Sequence, residues 1–478
     1  MSNLIYLPDW TVTEFEIDSE GAYRIPASYD VAPDHCEKCG AVGNLYKHGT
    51  KTTVYVDAPV HGRQTFIEVK ARPRFRCRDC EGTFMQPLPD MDDSRRMTVR
   101  CRDYIAQQSL LKPNTHVAED VGVNEKVIRQ IGAEHHAVLI AQHNATIRAP
   151  RILGIDELKI GKEMRAIFTD IETSWPIELL PGRSSEAVVN FLGNLPGRKE
   201  TEVVTIDMWK PYREAVAYTM PQAVIVVDKW HVQRLANDAM ETARRRYQGL
   251  LKDKDRRELK RGKAIFLKAP YTLTDAELLN LDGWLKNVPE LEGAYETKEA
   301  FKAIWKHRTS AAAKDALHAW RDSVPEHLVT LFQPAVTATK NWETEILNYF
   351  DHGRFTNAPT EARNRVVKMT NRLGAGYSFD AIRARTLFGK RPGRVKAEKA
   401  AAEEARRASM VECASCKALF EPYLISIAHI VPLSHGGEPL SENQMRVCTT
   451  CHRLHTMQWF KAYGDYTHKS EYTYTRRH

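Results

Sequence analysis

Three acidic residues of this 478-residue chain, Asp156, Asp207 and Glu361, have the type and setting of metal ligands. Each of the two aspartates ends a short apolar run, a pattern that predicts a buried strand with a carboxylate at its carboxyl end. Glu361 falls near the start of a helix predicted to begin near Asn357, where Pro359 suits the first helical turn. Mg²⁺ prefers carboxylate ligands, and two such ions about 3.5–4 Å apart can activate an attacking oxygen and stabilise a leaving one. The three residues therefore predict a site for phosphodiester chemistry.

The segments around these acids predict a mixed α/β sheet with helices on its faces. Strands are predicted at residues 151–156, 165–173, 175–180, 202–207 and 223–227, and helices at 184–195, capped by Ser184 or Ser185, and at 212–219. From 232 to about 345 the chain favours helix, and its four tryptophans are predicted core residues: Trp284, Trp305, Trp320 and Trp342. The sheet would carry two acids, and Glu361 would return to it after a helical insertion.

A fourth acid and a histidine compete for a place in the site. Asp228 ends the fifth predicted strand, and it is the main alternative to Asp207 as the second acid. His231 follows three residues later, where it either serves the site or only orients or caps the chain near the strand. On the helix predicted to begin near Asn357, Glu361 is followed at helical spacing by three cations that could hold a phosphate backbone: Arg365, Lys368 and Arg372.

Eight of the nine cysteines form four C-x-x-C pairs, and two such pairs make a tetrahedral zinc site. The first site would use Cys36, Cys39, Cys77 and Cys80, which enclose strands predicted at 52–56 and 65–71. The second would use Cys413, Cys416, Cys448 and Cys451. Because no apolar signal peptide is present in residues 1–10, a cytoplasmic chain is expected and zinc is favoured over disulfides. No role is predicted for Cys101.

A candidate helix-turn-helix lies between the first cysteine set and the acids. Ala118, Gly122 and Ile128 have the spacing that defines its turn, and neighbouring valines supply apolar contacts between two short helices. Asn124 would cap the second helix. The side chains on that helix that could reach DNA base edges are Glu125, Lys126, Arg129 and Gln130.

Together these motifs resemble the DDE transposases of bacterial insertion sequences, specifically the ISL-three family, over roughly residues 36 to 390. The resemblance is carried by the segments 154–157 (GIDE), 205–209 (TIDMW) with Tyr212, 228–231 (DKWH) and 357–364 (NAPTEARN). It implies a ribonuclease H-like catalytic core in which Asp156, Asp207 and Glu361 hold Mg²⁺ or Mn²⁺. It also implies that the first cysteine set is a zinc ribbon that recognises the element's terminal DNA, with a purely structural zinc staple as the alternative. His231 would belong to an accessory motif of related transposases.

The second cysteine set encloses a further motif, in which His429 lies in the run IAHIVPL and is followed by Asn443, His452 and His455. These residues resemble an HNH endonuclease module of the ββα-metal type. The resemblance makes His429 the general base, Asn443 the residue that orients the hairpin, and His452 the ligand of one divalent metal ion, with His455 as an alternative ligand. Ala428 stands where many such modules carry another metal ligand, so a zinc-stapled DNA-binding appendage without nuclease activity is the other interpretation.

The resemblance implies an enzyme that hydrolyses a phosphodiester at the element's end, releases a 3′ hydroxyl and lets that hydroxyl attack target DNA. DNA is then the partner, and at least a dimer is implied on the DNA because both element ends must be joined. Two other functions are open. One is an HNH endonuclease that uses a transposase-derived body to bind DNA, and the other is a DNA-binding regulator that cuts nothing.

Length and charge agree with a DNA enzyme of several domains. Lys plus Arg is 69 against 61 acidic residues, a formal net charge of +8, and basic runs near 244–263 and 390–394 suit a polyanion. The predicted domains are a segment with a zinc ribbon at 1–92, a helix-turn-helix at 93–148, the catalytic core at 149–389, a basic helical linker at 390–409 and the HNH-like module at 410–478. With no transmembrane run, a nucleoid-associated bacterial protein is expected.

Overall fold

The computed structural model describes residues 7, 10–12, 15–374, 376–389, 410–420, 425–431, 438, 440–448, 451–452 and 455. The linker predicted at 390–409 lies outside these residues. Across the described ranges, no helix is both long enough and apolar enough to cross a membrane.

The N-terminal part forms an eight-stranded sheet, which is larger than the ribbon predicted from the sequence. Its strands are β1 Trp10–Val12, β2 Glu16–Ile17, β3 Tyr23–Tyr29, β4 Leu45–Val60, β5 Arg63–Cys77, β6 Thr83–Met85, β7 Met91–Asp92 and β8 Met97–Thr98. The order is β1-β3-β5-β4-β8-β7, with β2 beside β3 and β6 beside β5. Alternate residues such as Tyr55, Ile67 and Val69 point inward and are buried against Trp10 and Ile25. The two predicted strands are the middle of the long β4–β5 hairpin.

Three helices follow the sheet: α1 Val99–Gln108, α2 Asn114–Val121 and α3 Glu125–Thr146. The predicted turn is present, because α2 ends at Gly122 in a left-handed conformation (φ +81°) and the Asn124 side chain caps α3. Val117, Val121 and Ile128 are fully buried between the helices. The prediction of two short helices is wrong for α3, which runs for 22 residues because its second half packs on a later helix of the central domain.

The central domain is built on a five-stranded mixed sheet. Its elements are β9 Ile152–Ile160, β10 Glu163–Asp170, β11 Trp175–Leu179, α4 Ser185–Asn194, β12 Val203–Ile206, α5 Lys210–Thr219 and β13 Val224–Val227. The strand order is β11-β10-β9-β12-β13, in which β10 is antiparallel to its neighbours and β9, β12 and β13 run parallel. The five predicted strands and two predicted helices are therefore confirmed in their order, and Ser184 is the cap of α4.

One strand differs from its prediction at the site itself. β9 does not end at Asp156 but continues to Ile160, and Asp156 lies opposite Ile167 in the middle of the strand. The strand continues because Leu158 and Ile160 are apolar and pack under the two helices that end the domain. Gly161 then makes the turn into β10 with a left-handed φ of +63°.

The predicted helical insertion is confirmed between β13 and the helix that carries Glu361. Its helices are α6 Lys229–Leu250, α7 Asp253–Arg261, α8 Lys263–Leu267, α9 Asp275–Asn287, α10 Pro289–Ala303, α11 Ser310–Ser323, α12 Val329–Asn341 and α13 Glu343–Asp351. Trp305, Trp320 and Trp342 are buried in its core, and Trp284 packs half-buried against the same core. The chain then returns to the sheet in α14 Ala358–Leu373 and α15 Phe379–Phe388.

The described part of the C-terminal tail consists of two small hairpins. Their strands are β14 Val411–Glu412, β15 Leu419–Phe420, β16 Ile425–His429 and β17 Gln444–Cys448. The two hairpins share a small core in which three of the four cysteines are buried.

Candidate functional site

Four carboxylates and one histidine meet beside the central sheet. Asp207 follows β12 and Asp228 follows β13, so both lie at the carboxyl ends of neighbouring parallel strands, while Glu361 comes from the first turn of α14. His231 Nδ1 lies 3.0 Å from Asp207 Oδ1 and 3.7 Å from Asp228 Oδ2. One ligand atom each from Asp228, His231 and Glu361 lies within 4.8 Å of the other two. Asp156 completes the group beside Asp207.

The acids raise one another's proton affinity. Burial, followed by the charge of Asp207, raises the pKa of Asp156 to about 8. Burial and then the charge of Asp228 raise the pKa of Glu361. Burial lowers the pKa of His231, but its contacts with Asp207 and Asp228 outweigh that effect and raise it to about 10. Negative charge is therefore concentrated where water screens it poorly, and one histidinium offsets only part of it.

This donor set fits a divalent cation. Four carboxylates offer the hard oxygen ligands that Mg²⁺ and Mn²⁺ accept, and a cation would relieve the repulsion between buried acids. The fold brings Asp156, Asp207 and Glu361 together, as predicted, and it adds both Asp228 and His231. Asp207 and Asp228, the two candidates for the second acid, thus line one site, and His231 lies between them.

Two buried asparagines, which the sequence reasoning missed, position the acids. Asn357 Nδ2 donates to the Ile155 carbonyl at 2.8 Å and its Oδ1 accepts from the Thr205 hydroxyl at 2.5 Å, so the residue before α14 is tied to both β9 and β12. Asn364 Nδ2 donates to Asp156 Oδ2 at 2.7 Å. Asn364 lies one helical turn after the acid of α14, and that spacing could have identified it.

Gly154 lets α14 approach β9 closely. An added Cβ would lie 2.5 Å from Ile171 Cδ1, 2.7 Å from Thr360 Oγ1 and 2.9 Å from Asn357 Oδ1, so these side chains, two of them at the start of α14, would have to shift. We expect Gly154→Ala to displace Glu361 and slow DNA nicking by roughly 100-fold, since a shift near 1 Å has that effect on catalysis. The free energy of unfolding should fall by about 1–3 kcal/mol from overpacking.

Single-turnover nicking and urea unfolding measure these two effects. The matched control is Gly193→Ala in α4, where an added Cβ meets only Thr219 Cγ2 at 3.9 Å. The control should keep full activity, and nicking by Gly154→Ala at the wild-type rate would show that close packing of α14 on β9 does not set the position of the acid.

The surface beside the acids carries cations. Arg365, Lys368 and Arg372 are exposed along α14, as their spacing predicted. On the other side, Arg183 forms an ion pair with Glu157, and its guanidinium lies 4.8 Å from the centre of the Trp209 ring. A DNA backbone lying across the acids would therefore meet positive charge along α14.

Both cysteine quartets are assembled as predicted. In the first, Cys36 Sγ lies 3.8 Å from Cys80 Sγ and Cys39 Sγ lies 3.8 Å from Cys77 Sγ. A tetrahedral zinc ion with bonds of about 2.3 Å places its sulfur ligands about 3.8 Å apart, whereas sulfurs in a disulfide are about 2.05 Å apart. In the second, the four sulfurs of Cys413, Cys416, Cys448 and Cys451 also lie within 4.8 Å of one another. The spacing in the first quartet fits zinc, and the second has the same ligand set.

In the tail, Asn443 holds the loop that follows His429. Its side-chain Nδ2 donates to the carbonyls of Val431 and Glu438, both at 2.9 Å, and its Oδ1 accepts from the Val431 N–H at 2.8 Å. These hydrogen bonds fix the loop relative to Asn443. Ala428 is buried in the small cysteine core and offers no ligand.

Three histidines of the tail, His429, His452 and His455, lie near one another. His429 ends β16, and His452 Nδ1 lies 2.7 Å from Ser426 Oγ on the same strand. Burial lowers the pKa of His452, and so do the charges of His455 and His429. The described residues thus group His429, His452 and His455, the three histidines to which the resemblance gives roles.

The predicted base-reading residues are exposed on the first turns of α3. Lys126, Arg129 and Gln130 all face solvent. Arg129 forms an ion pair with Glu125 at 2.7 Å one turn earlier. A helix that follows a tight turn and presents polar side chains to solvent is the arrangement in which a recognition helix enters a DNA groove.

Three protein-family models match the chain. A transposase family model, that of the ISL3 (ISL-three) DDE transposases, matches residues 153–386. The zinc finger of the transposases of IS204, IS1001, IS1096 and IS1165 matches residues 32–80. An HNH endonuclease model matches residues 413–458.

Two curated proteins illustrate the similarity. The transposase for insertion sequence element IS1001 from Bordetella parapertussis is 24% identical over 357 residues, which cover 72% of this chain and 85% of that protein. The transposase for insertion sequence element IS1557 from Mycobacterium tuberculosis (strain ATCC 25618 / H37Rv) is 21% identical over 388 residues, covering 75% and 86%. The buried acids, the cysteine quartets and the family matches agree: the chain contains the DDE domain and the zinc finger of the ISL3 insertion-sequence transposases, followed by an HNH domain.

Proposed function

We propose that the chain catalyses metal-dependent 3′-end cleavage and strand transfer of an insertion sequence, in a ribonuclease H-like core where Asp156, Asp207 and Glu361 hold Mg²⁺ or Mn²⁺. The observation that carries this proposal is the meeting of these acids beside the sheet, although they are far apart in sequence. Divalent ions held there would activate the attacking oxygen and stabilise the leaving one. The cations along α14 would hold the DNA backbone in line with the acids.

The chain's own residues keep the acids ready for ligands. Asn364 fixes one oxygen of Asp156 through the hydrogen bond from its amide. His231 orients Asp207 and offsets part of its charge. Asn357 ties the start of α14 to two strands and so sets the position of Glu361. Each of these groups acts through an acid, so we regard them as positioning residues.

We favour Asp207 over Asp228 as the second acid. Asp228 Oδ1 accepts the Trp230 N–H at 3.3 Å as the cap of α6, and only 2% of its side chain is exposed. Asp207 is more accessible, with 16% of its side chain exposed, and it is the charge that acts on Asp156. Asp228 is the alternative, because it lies in the same cluster as Glu361.

The remaining parts would deliver DNA to this site. We propose that the zinc ribbon within residues 1–92 and the helix-turn-helix within 93–148 bind the element ends, with Lys126, Arg129 and Gln130 reaching the bases. Joining two ends requires two copies of the site, so at least a dimer would form on DNA. The core at 149–389 would then cut, and the module at 410–478 would act on DNA from behind the linker.

A plasmid that carries the DNA flanking this gene tests the proposal. The purified chain should nick it with Mg²⁺ or Mn²⁺ and not with EDTA, and mapping should place new 3′ hydroxyls at the element ends. A mixture with target plasmid should then yield joined products. Metal-independent nicking, or no nicking with bound DNA, would contradict the proposal.

A second activity is favoured by the tail. Asn443 holds the loop after His429, which is the arrangement a hairpin histidine needs to act as a general base, and His452 or His455 could hold one divalent ion. Ala428 removes a donor from this set. If the tail cuts DNA by itself, nicking should persist when the acids of the core are replaced.

A further inference from the structure

Trp230, in the first turn of α6, is exposed beside the acids. About half of its surface is in water (49%), whereas tryptophans are usually well buried. The other tryptophans of the described ranges are buried or half-buried: Trp10, Trp175, Trp209, Trp284, Trp305, Trp320 and Trp342. Core packing therefore does not explain why a large aromatic ring stands at this position.

The indole lies one side chain away from the acid cluster. Its ring meets the His231 ring edge to face, with centroids 4.8 Å apart and planes at 87°. His231 in turn contacts Asp207. One turn later, the Arg234 guanidinium lies 5.7 Å from the centre of the indole ring. The rim of the site thus offers a flat aromatic face with a cation next to it.

We propose that Trp230 is a stacking platform for a nucleobase next to the scissile phosphate, an inference that rests on the proposed function of the acid site. Successive nucleotides of a strand are about 3.4 Å apart along the helix axis, so the bases flanking a phosphate held at the acids come within reach of the indole. Stacking on an aromatic ring accepts any base, because every base has a π face. Arg234 would pair with the neighbouring phosphate.

The surroundings favour a nucleic acid over a protein partner. A protein interface has an apolar centre, but the neighbours of Trp230 one turn later on α6 are the half-buried Gln233 and the exposed Arg234, which are polar and charged. A flat ring with a cation beside it is the combination that proteins use to stack on the bases and contact the backbone of single-stranded nucleic acid. The base that stacks must leave its place in the duplex, so the platform would hold a strand that is opened at the cleavage point.

Fluorescence of 2-aminopurine, scanned through the terminal nucleotides of a duplex copied from the DNA flanking the gene, tests this without catalysis. When wild type binds this duplex without divalent metal, the fluorescence should change for 2-aminopurine at one nucleotide position. Trp230→Phe should keep that change, and Trp230→Ala should lose it. With Mg²⁺, Trp230→Ala should nick the paired duplex about 5- to 100-fold more slowly than wild type. An abasic site at that position should bring the two rates together.

The control is Tyr218→Ala, which removes an aromatic ring with 79% exposure at the far end of α5 and should change neither signal. Equal fluorescence at every position with wild type and Trp230→Ala would overturn the stacking proposal, even if nicking slowed. Failure of wild type to nick would count against the proposed function, while the fluorescence difference, which needs binding alone, would still decide for or against stacking.

Discussion

Replacing Asp156 with asparagine is expected to reduce metal-dependent nicking by roughly three orders of magnitude or more, because the change removes one of the charges that would hold the metal ions. The fold should be kept. Asparagine has the same shape, and its side-chain oxygen can still accept the hydrogen bond from Asn364 that Asp156 Oδ2 accepts now. DNA binding should be unchanged, since the cations and the N-terminal domains are untouched.

Thermal unfolding separates this effect from damage to the fold. Without metal, Asp156→Asn should be at least as stable as wild type, because it removes a buried carboxyl whose ionised form is disfavoured by burial and by the charge of Asp207. With Mn²⁺, wild type should gain stability by linkage to the bound ion, and the variant should gain much less. The raised pKa of Asp156 also makes the free energy of unfolding depend on pH. Metal-free wild type should lose stability as the pH rises from about 4 to about 8, because the unfolded chain releases the Asp156 proton first. The variant lacks this group and should lose less.

The control for this experiment is Asp315→Asn, an exposed acid on α11 in the helical insertion. It should behave as wild type in nicking and in the response to Mn²⁺. If Asp156→Asn still nicks, or gains as much stability from Mn²⁺ as wild type, Asp156 is not a ligand of the metal ions.

Replacing Cys77 with serine is expected to cause the largest loss of structure. A structural zinc ion contributes about 10–16 kcal/mol of binding free energy in small zinc domains, which is comparable to the whole stability of a domain. Cys77 ends β5 and is buried next to Phe75 and Phe84, so loss of the ion should release this end of the long hairpin. We expect the zinc content to fall from two ions per chain to one, and specific binding to the element end to fall to the non-specific level.

The second quartet supplies the matched control. Cys413→Ser should also lower the zinc content from two ions to one, but it should leave binding to the element end intact, because the second quartet uses no residue of the N-terminal sheet. Zinc analysis and gel-shift titration with competitor DNA measure both. Equal loss of end binding in the two variants would show that recognition does not reside in the N-terminal ribbon.

The parts of the fold that the sequence predicted well are those encoded by local pattern. The apolar run before Asp207 predicted β12, and the Asn357–Pro359 start predicted α14, because burial of a strand and the start of a helix depend on adjacent residues. The cysteine pairs predicted both quartets for the same reason. These local signals were sufficient to predict the strand and the helix that carry Asp207 and Glu361.

What the sequence could not predict depends on contacts between distant segments. β9 continues beyond Asp156 because Leu158 packs under helices that lie some 200 residues later. Asn364 donates to Asp156 across 208 residues of sequence. Its spacing from Glu361 indicates the face of α14 on which it lies, but its partner on β9 is known only from the fold. The length of α3 was missed in the same way, since its second half is stabilised by packing on α15. Contacts of this kind are known only from the three-dimensional structure.

The measurement to make is nicking of a plasmid that carries the DNA flanking this gene, in Mg²⁺, by wild type, Asp207→Asn and His429→Ala in parallel. We expect Asp207→Asn to abolish release of the 3′ end while His429→Ala releases it at the wild-type rate, which would place the chemistry in the core. The opposite pattern, in which only His429→Ala fails to cut, would make the tail the nuclease and contradict the assignment of DNA cleavage to the acids of the core.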